Sequence, residues 1–123
     1  MPKRSGKGTW DSLRSFALGL PEAWEDFPWR EVVAKVGKKV FVFLGTAEAD
    51  APGISVKLVD SHEHALSVPG AAPTGYGLGK AGWVTVPVGR GDDVELLCDW
   101  IEESYRVVAP KKLVKLLDDI DST

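Results

Sequence analysis

Cysteine is almost absent from this chain: Cys98 stands alone among 123 residues. That excludes an internal disulfide and any zinc site built from several cysteines, and it suits a reducing compartment. Long apolar runs are missing too, since no stretch approaches the ~20 residues that a membrane-spanning helix needs. The basic start, Met1-Pro2-Lys3-Arg4-Ser5-Gly6-Lys7-Gly8, is not followed by an apolar segment of signal-peptide type. Residues 1–8 therefore read as a flexible lead-in, and the protein as cytoplasmic with no membrane partner. Positive charge is not in excess, because 15 Lys and Arg against 18 Asp and Glu give a net charge of −3. That argues against a protein that coats nucleic acid without specificity, but leaves room for a local basic patch. There is no internal repeat and no break in composition, so residues 9–123 read as a single domain.

What is present is globular in character. Hydrophobic residues make up 44% and charged residues 27%, and five tryptophans supply large anchors for a core. A core of this size implies a stability on the order of 5–10 kcal/mol.

Periodicity divides the chain into elements. Trp10, Leu13, Ala17 and Leu20 recur at helical spacing, which predicts a helix over 9–20, capped by Thr9 and stopped by Gly19 and Pro21. The 21–30 segment holds two prolines with Glu22, Glu25 and Asp26, and reads as a connection pinned by Trp24, Phe27 and Trp29. The β-rich runs 32–36 and 40–44, joined by Gly37-Lys38-Lys39, predict a hairpin. A polar 45–53 loop and a third strand over 54–58 follow. Asp60 or Ser61 can cap a short helix to about Val68. The 69–82 segment is rich in Gly and Pro, with a short strand expected at 76–80, and residues 83–88 alternate as a strand that Pro87 confines to an edge or a terminus. Gly91-Asp92-Asp93 opens a helix to about Val108, with Val94, Leu97, Cys98, Ile101 and Tyr105 as its buried stripe. After Pro110 a last helix puts Leu113, Leu116, Leu117 and Ile120 on one face. The fold class is α+β in two layers, an antiparallel sheet of about five strands covered by helices. Strand–helix alternation, which a doubly wound fold needs, is missing.

Several motifs invite chemistry and lack its context. Gly77-Leu78-Gly79-Lys80-Ala81-Gly82 fits GxGxxG, but a strand follows it, so no helix dipole faces a phosphate. The kinase glycine loop it also matches has no HRD or DFG sequence after it. The glycines read instead as positions of positive φ or close backbone approach. His62 and His64 sit two apart, a spacing that puts them on different helix faces. Asp92, Asp93 and Glu95 suit a helix N-terminus, Asp99, Glu102 and Glu103 a solvated helix side, and Cys98 an inert apolar stripe. The chain is therefore read as non-catalytic, with no cofactor and no metal.

Basic residues are the remaining signal. Lys35, Lys38 and Lys39 surround the first hairpin turn, as a wing against phosphates would need and as ordinary solvated turns also show. Arg106, Lys111, Lys112 and Lys115 form a second group near the end of the chain. Tyr76, Lys80 and Trp83 form a third, in which an aromatic beside a lysine suits a stacked base and its phosphate, while Trp83 equally suits a core plug.

Taken in order, Leu20-Pro21-Glu22 with Glu25-Asp26-Phe27-Pro28, Ala34-Lys35-Val36-Gly37-Lys38-Lys39-Val40-Phe41, Ile54-Ser55-Val56-Lys57, Gly75-Tyr76-Gly77-Leu78-Gly79-Lys80 with Trp83-Val84-Thr85-Val86, and Glu103-Ser104-Tyr105 resemble the MmcQ/YjbR family of small bacterial proteins. The resemblance implies an α-β(3)-α-β(2)-α order and the family's usual description as double-wing DNA-binding proteins. Its topology is also similar to type III secretion chaperones, which bind proteins. This chain departs from the family pattern at Gly77 and Gly79, where relatives tend to carry His and Asn, and at Ala81 and Gly82, where they tend to carry Arg and His. With the resemblance, the expected contacts to DNA are Lys35, Lys38, Lys39, Lys57, Tyr76, Lys80 and Trp83. A protein-interaction or chaperone-like module and a small-molecule-binding domain are the alternatives.

Overall fold

The computed structural model describes residues 6–27, 31–45, 53–75, 78–88 and 94–121. Trp29, Tyr76, Gly77, the Gly91-Asp92-Asp93 segment, residues 1–5 and most of the 45–53 loop lie outside the described residues.

Helix α1 (Gly6–Leu18) leads into strands β1 (Ala23–Asp26), β2 (Val32–Val36), β3 (Lys39–Gly45) and β4 (Gly53–Lys57). The short helix α2 (His62–Leu66), strand β5 (Ala72–Pro73), a 3-10 turn at Leu78–Ala81 and strand β6 (Trp83–Pro87) follow. Helices α3 (Val94–Val108) and α4 (Lys111–Asp121) complete the described chain. The strands form one antiparallel sheet in the order β1-β2-β3-β4-β6-β5. This is the expected α+β class, with helices packed on one face of an open sheet.

Three local readings change. The 21–30 segment contains an edge strand, β1, because its acids have partners elsewhere: Arg14 grips both carboxylate oxygens of Glu25 at 2.5 and 2.9 Å, and Lys35 Nζ lies 2.9 Å from Asp26 Oδ2. The short strand expected at 76–80 is instead β5 at Ala72–Pro73, with the 3-10 turn after it. α1 begins at Gly6, so Thr9 sits inside the helix rather than capping it.

The hydrophobic periodicity holds on α1 and holds in part on α3 and α4. Trp10, Leu13, Ala17 and Leu20 are all buried, against a sheet face made of Ala34, Val36, Val42, Leu44, Ile54, Val56, Val84 and Val86. On α3 the buried residues are Leu97, Trp100, Ile101, Ser104 and Tyr105, with Val94 and Cys98 half-buried at the margin. On α4, Leu113 and Leu117 enter the core, while Leu116 and Ile120 stay exposed.

β3 is irregular in a way that organises the core. Its register with β2 slips twice: Val33 faces Phe43 after Val32 faced Gly45, and Lys35 faces Val40 after Ala34 faced Val42. Leu44 and Phe41 are left without a partner in β2, as in β-bulges. Both bulge carbonyls are satisfied by helix side chains. Trp10 Nε1 donates to Leu44 O at 2.5 Å, and Ser104 Oγ donates to Phe41 O at 2.5 Å. The helix layer is thereby pinned to the sheet by hydrogen bonds as well as by apolar contact.

Candidate nucleic-acid interface

The pleat puts successive side chains on opposite sides of a sheet, so the registers define the face turned away from the helices. Asp26, Val33, Phe43, Ser55, Thr85 and Ala72 form one row across all six strands on that open face. The adjacent row carries Trp24, Lys35 and Val40 on one side and Lys57 opposite Trp83 on the other. This second row lies at the end where β2 and β4 finish and β3 and β6 begin. Lys38 lies in the β2–β3 turn at the same end, Lys39 opens β3 opposite Val36, and Lys80 lies in the turn just before β6. Five lysines from three separate parts of the sequence therefore share one end of the sheet. Tyr76 lies outside the described residues.

These lysines are not equivalent. Lys35 is held by Asp26, and its ammonium also stands over the Trp24 ring, 5.2 Å from the centroid. Asp26 is held below the ordinary carboxylate range by its hydrogen bond from Lys35, with help from the Phe27 N–H. Lys57 is half-buried, whereas Lys38, Lys39 and Lys80 are exposed. Trp83 is only 7% exposed and meets Phe43 edge-on at 5.2 Å between centroids, so its ring faces are taken up by packing. Among the described residues, the aromatic offered to solvent at this end is Trp24, 44% exposed, its indole N–H donating to Gly37 O at 3.0 Å. Trp24 was missed in the sequence because the strand that presents it reads there as a connection. A chain of hydroxyls was missed as well: Ser55 and Thr85 oxygens are 2.7 Å apart, and Thr74 and Thr85 oxygens 2.9 Å. The polar positions alternating with Ile54, Val56, Val84 and Val86 were its only signal.

The glycine-rich segment has a structural reason. A Cβ on Gly79 would lie 2.8 Å from Pro73 Cβ, and one on Gly82 would lie 3.1 Å from Leu58 O at a φ of +99°. Gly82 also accepts the Leu58 N–H at 3.0 Å, fastening the turn to the end of β4. A strand, not a helix, follows the 3-10 turn, so no helix N-terminus comes after these glycines to face a phosphate. Burial pushes the Cys98 thiol up, with Asp99 and Glu95 adding to it, which leaves it a poor nucleophile. His64 packs edge-on to Trp100, 5.3 Å between centroids. Among the described residues no cluster of His, Cys, Asp and Glu could hold a metal ion, and no helix is long and apolar enough to cross a membrane.

Glu102 and Glu103 of α3 serve structure. Glu102 pairs with Arg106 at 3.0 Å, and Arg106 reaches Asp118 of α4 at 2.6 Å. Glu103 Oε2 accepts the backbone N–H groups of Val59, Asp60 and Ser61 at 2.9, 2.9 and 3.2 Å, standing in for the side-chain cap that α2 lacks. Burial works to raise the Glu103 carboxyl, but the hydrogen bonds from Ser61 and from the three amides outweigh it and hold it below its ordinary value. A depressed folded pKa contributes stability that is present above the unfolded value and lost as pH falls through the folded one. Urea midpoints should thus be flat above pH 5 or so and drop in more acid solution. Glu103→Gln should reduce the size of that drop; an unchanged acid limb would contradict the assignment.

Comparison with known proteins agrees with this frame. A YjbR family model matches residues 18–107. The chain belongs to the YjbR family. The crystal structure of Deinococcus radiodurans protein DR2400, with a DUF419 domain, is similar at 33% identity and a TM-score of 0.66, over 80% of this chain and 76% of that one. No curated protein matches. The YjbR match spans β1 to α3 and so contains the whole sheet, the lysine-bearing end and Glu103-Ser104-Tyr105, while α4 lies beyond it.

Proposed function

We propose that this YjbR-family chain is a non-catalytic cytoplasmic domain that binds DNA through the lysine-bearing end of its open sheet. One observation carries the reading: Lys38, Lys39 and Lys80, with Lys57 behind them, gather at one end of a chain whose net charge is −3. Clustered lysines on an acidic protein make a local field that an average charge conceals. Lys38 and Lys39 at the hairpin tip act as the wing, and Lys80 adds a contact from the neighbouring turn. Trp24 supplies the exposed ring beside them. Lys35 contributes less, because Asp26 already balances it.

The binding is driven by phosphate contacts, so it must weaken with salt. With three exposed lysines on phosphates, the slope of log affinity against log salt should be about −3 for duplex DNA. Replacing Lys38 and Lys39 with Glu should bring the slope to about −1 and weaken binding at low salt by roughly tenfold or more. Fluorescence anisotropy of a labelled duplex over a salt series measures both. Absence of binding at low salt, or binding indifferent to salt, removes the proposal.

A protein partner is the second reading, favoured by a separate observation. β1 is an edge strand, and Trp24 and the adjoining Phe27 are 44% and 60% exposed. A folded Trp24→Ala variant that keeps DNA binding but loses a partner captured by the parent chain would support it.

A further inference from the structure

Trp24 is exposed on an edge strand, yet its ring is held in place. The indole N–H donates to Gly37 O at 3.0 Å, and the Lys35 ammonium stands over one face, 5.2 Å from the centroid. These two contacts fix the ring at the end of the sheet where Lys38, Lys39, Lys57 and Lys80 gather, while the residue stays 44% exposed. Among the described residues no second aromatic ring packs against it. The two acids that follow it in β1 are balanced, Glu25 by Arg14 and Asp26 by Lys35. A polyanion that reaches the ring therefore meets no unbalanced carboxylate of β1.

An ordered, exposed indole beside lysines serves a nucleic acid where a base offers it a free face. Any base can stack on an aromatic side chain, whatever the sequence. A duplex keeps its base faces against one another, so a base must first be unstacked to reach the ring. The lysines alone make few contacts: Lys38, Lys39 and Lys80 are exposed, on a chain of net charge −3, so binding by phosphates alone is weak. A stacked base adds a contribution that salt does not screen. From β1 to β4 the sheet is three strand spacings wide, about 14 Å, which gives a single strand a path from Trp24 past Lys38 and Lys39 towards Lys57. From the fixed, exposed indole and the lysines around it we infer, taking the lysine-bearing end as a DNA site, that it selects single-stranded over double-stranded DNA by stacking an unpaired base on Trp24.

The experiment compares three labelled probes of about 12 nucleotides against the full chain at low salt. They are a mixed-sequence single strand, its duplex, and a strand of abasic sugars that keeps the phosphates and lacks the bases. The parent should bind the single strand about tenfold more tightly than either of the others. Trp24→Ala should lose about tenfold on the single strand and stay within about twofold on the duplex and the abasic strand. Trp24→Leu should match it, because it restores apolar bulk without a π face, whereas Trp24→Tyr should keep most of the preference. The salt slope for the single strand should be about −2 in the parent and in Trp24→Ala alike, since the ring carries no charge. Circular dichroism of each variant checks that the fold is kept. Equal binding of the three probes by the parent overturns the inference and leaves the lysine site standing, and so does a Trp24→Ala that weakens all three equally. A Trp24→Ala that keeps the preference also overturns it, and assigns the exposed ring to a protein partner instead. Absence of binding to every probe overturns the inference and the DNA reading together.

Discussion

Replacing Trp10 with alanine should lower the unfolding free energy by about 3–5 kcal/mol, the range for truncating a buried aromatic. Against a total on the order of 5–10 kcal/mol, that leaves the domain close to unfolding at ordinary temperatures. Two effects add. The indole is 6% exposed within the core cluster, so its loss opens a cavity between α1 and the sheet. Its N–H also holds Leu44 O, the carbonyl of a bulge residue that has no partner in β2. Trp10→Phe separates the two, since it keeps most of the ring and leaves the carbonyl unmet. It should cost less, about 1–3 kcal/mol for the orphaned acceptor and the smaller ring. Urea unfolding followed by circular dichroism measures both. A Trp10→Ala loss below 1 kcal/mol or so would mean that α1 is not pinned to β3 in this way.

The helix faces were legible because each repeats an apolar spacing over three or more turns, as with Trp10, Leu13, Ala17 and Leu20. The hairpin was legible because Gly37 breaks two β-rich runs. β1 was not, since Glu25 and Asp26 look like loop residues until Arg14 and Lys35 neutralise them, and those partners come from other elements. The β3 bulges were hidden by uniformity: Val40, Phe41, Val42, Phe43 and Leu44 are all apolar, so no alternation marks where the register slips. The candidate site divides on the same line. Lys38 and Lys39 announce themselves beside a turn, but the union of Lys57 and Lys80 with them depends on strand order. Likewise, whether Lys35 is available depends on Asp26, nine residues away. Trp83 could be read as a stacking ring or as a core plug, and its contact with Phe43 across the sheet explains its burial.

Glu103-Ser104-Tyr105, part of the family resemblance, has the look of a reactive trio and works as a clasp. Tyr105 packs edge-on to Phe41 at 5.2 Å and donates its hydroxyl proton to Pro21 O at 2.7 Å. Ser104 does most with least. It is fully buried, donates to Phe41 O at 2.5 Å and accepts the Lys57 N–H at 2.8 Å. The β3–β4 pairing stops at Val42↔Val56, so this hydroxyl bridges the next pair, where the Phe41 bulge has opened the ladder. Ser104→Ala strands a buried donor and a buried acceptor together, at about 1–3 kcal/mol each. Stability should fall by about 2–6 kcal/mol in all, and the thermal midpoint by about 10–25 °C. DNA affinity, measured well below that midpoint, should stay within about twofold of the parent, because the lysines keep their strands and turns. The Lys38 and Lys39 reversals should behave oppositely, with stability changed by no more than about 0.5 kcal/mol and binding weakened about tenfold or more. If Ser104→Ala abolished binding in a folded protein, the clasp would belong to the site, and the lysine-bearing end would not be sufficient to define it.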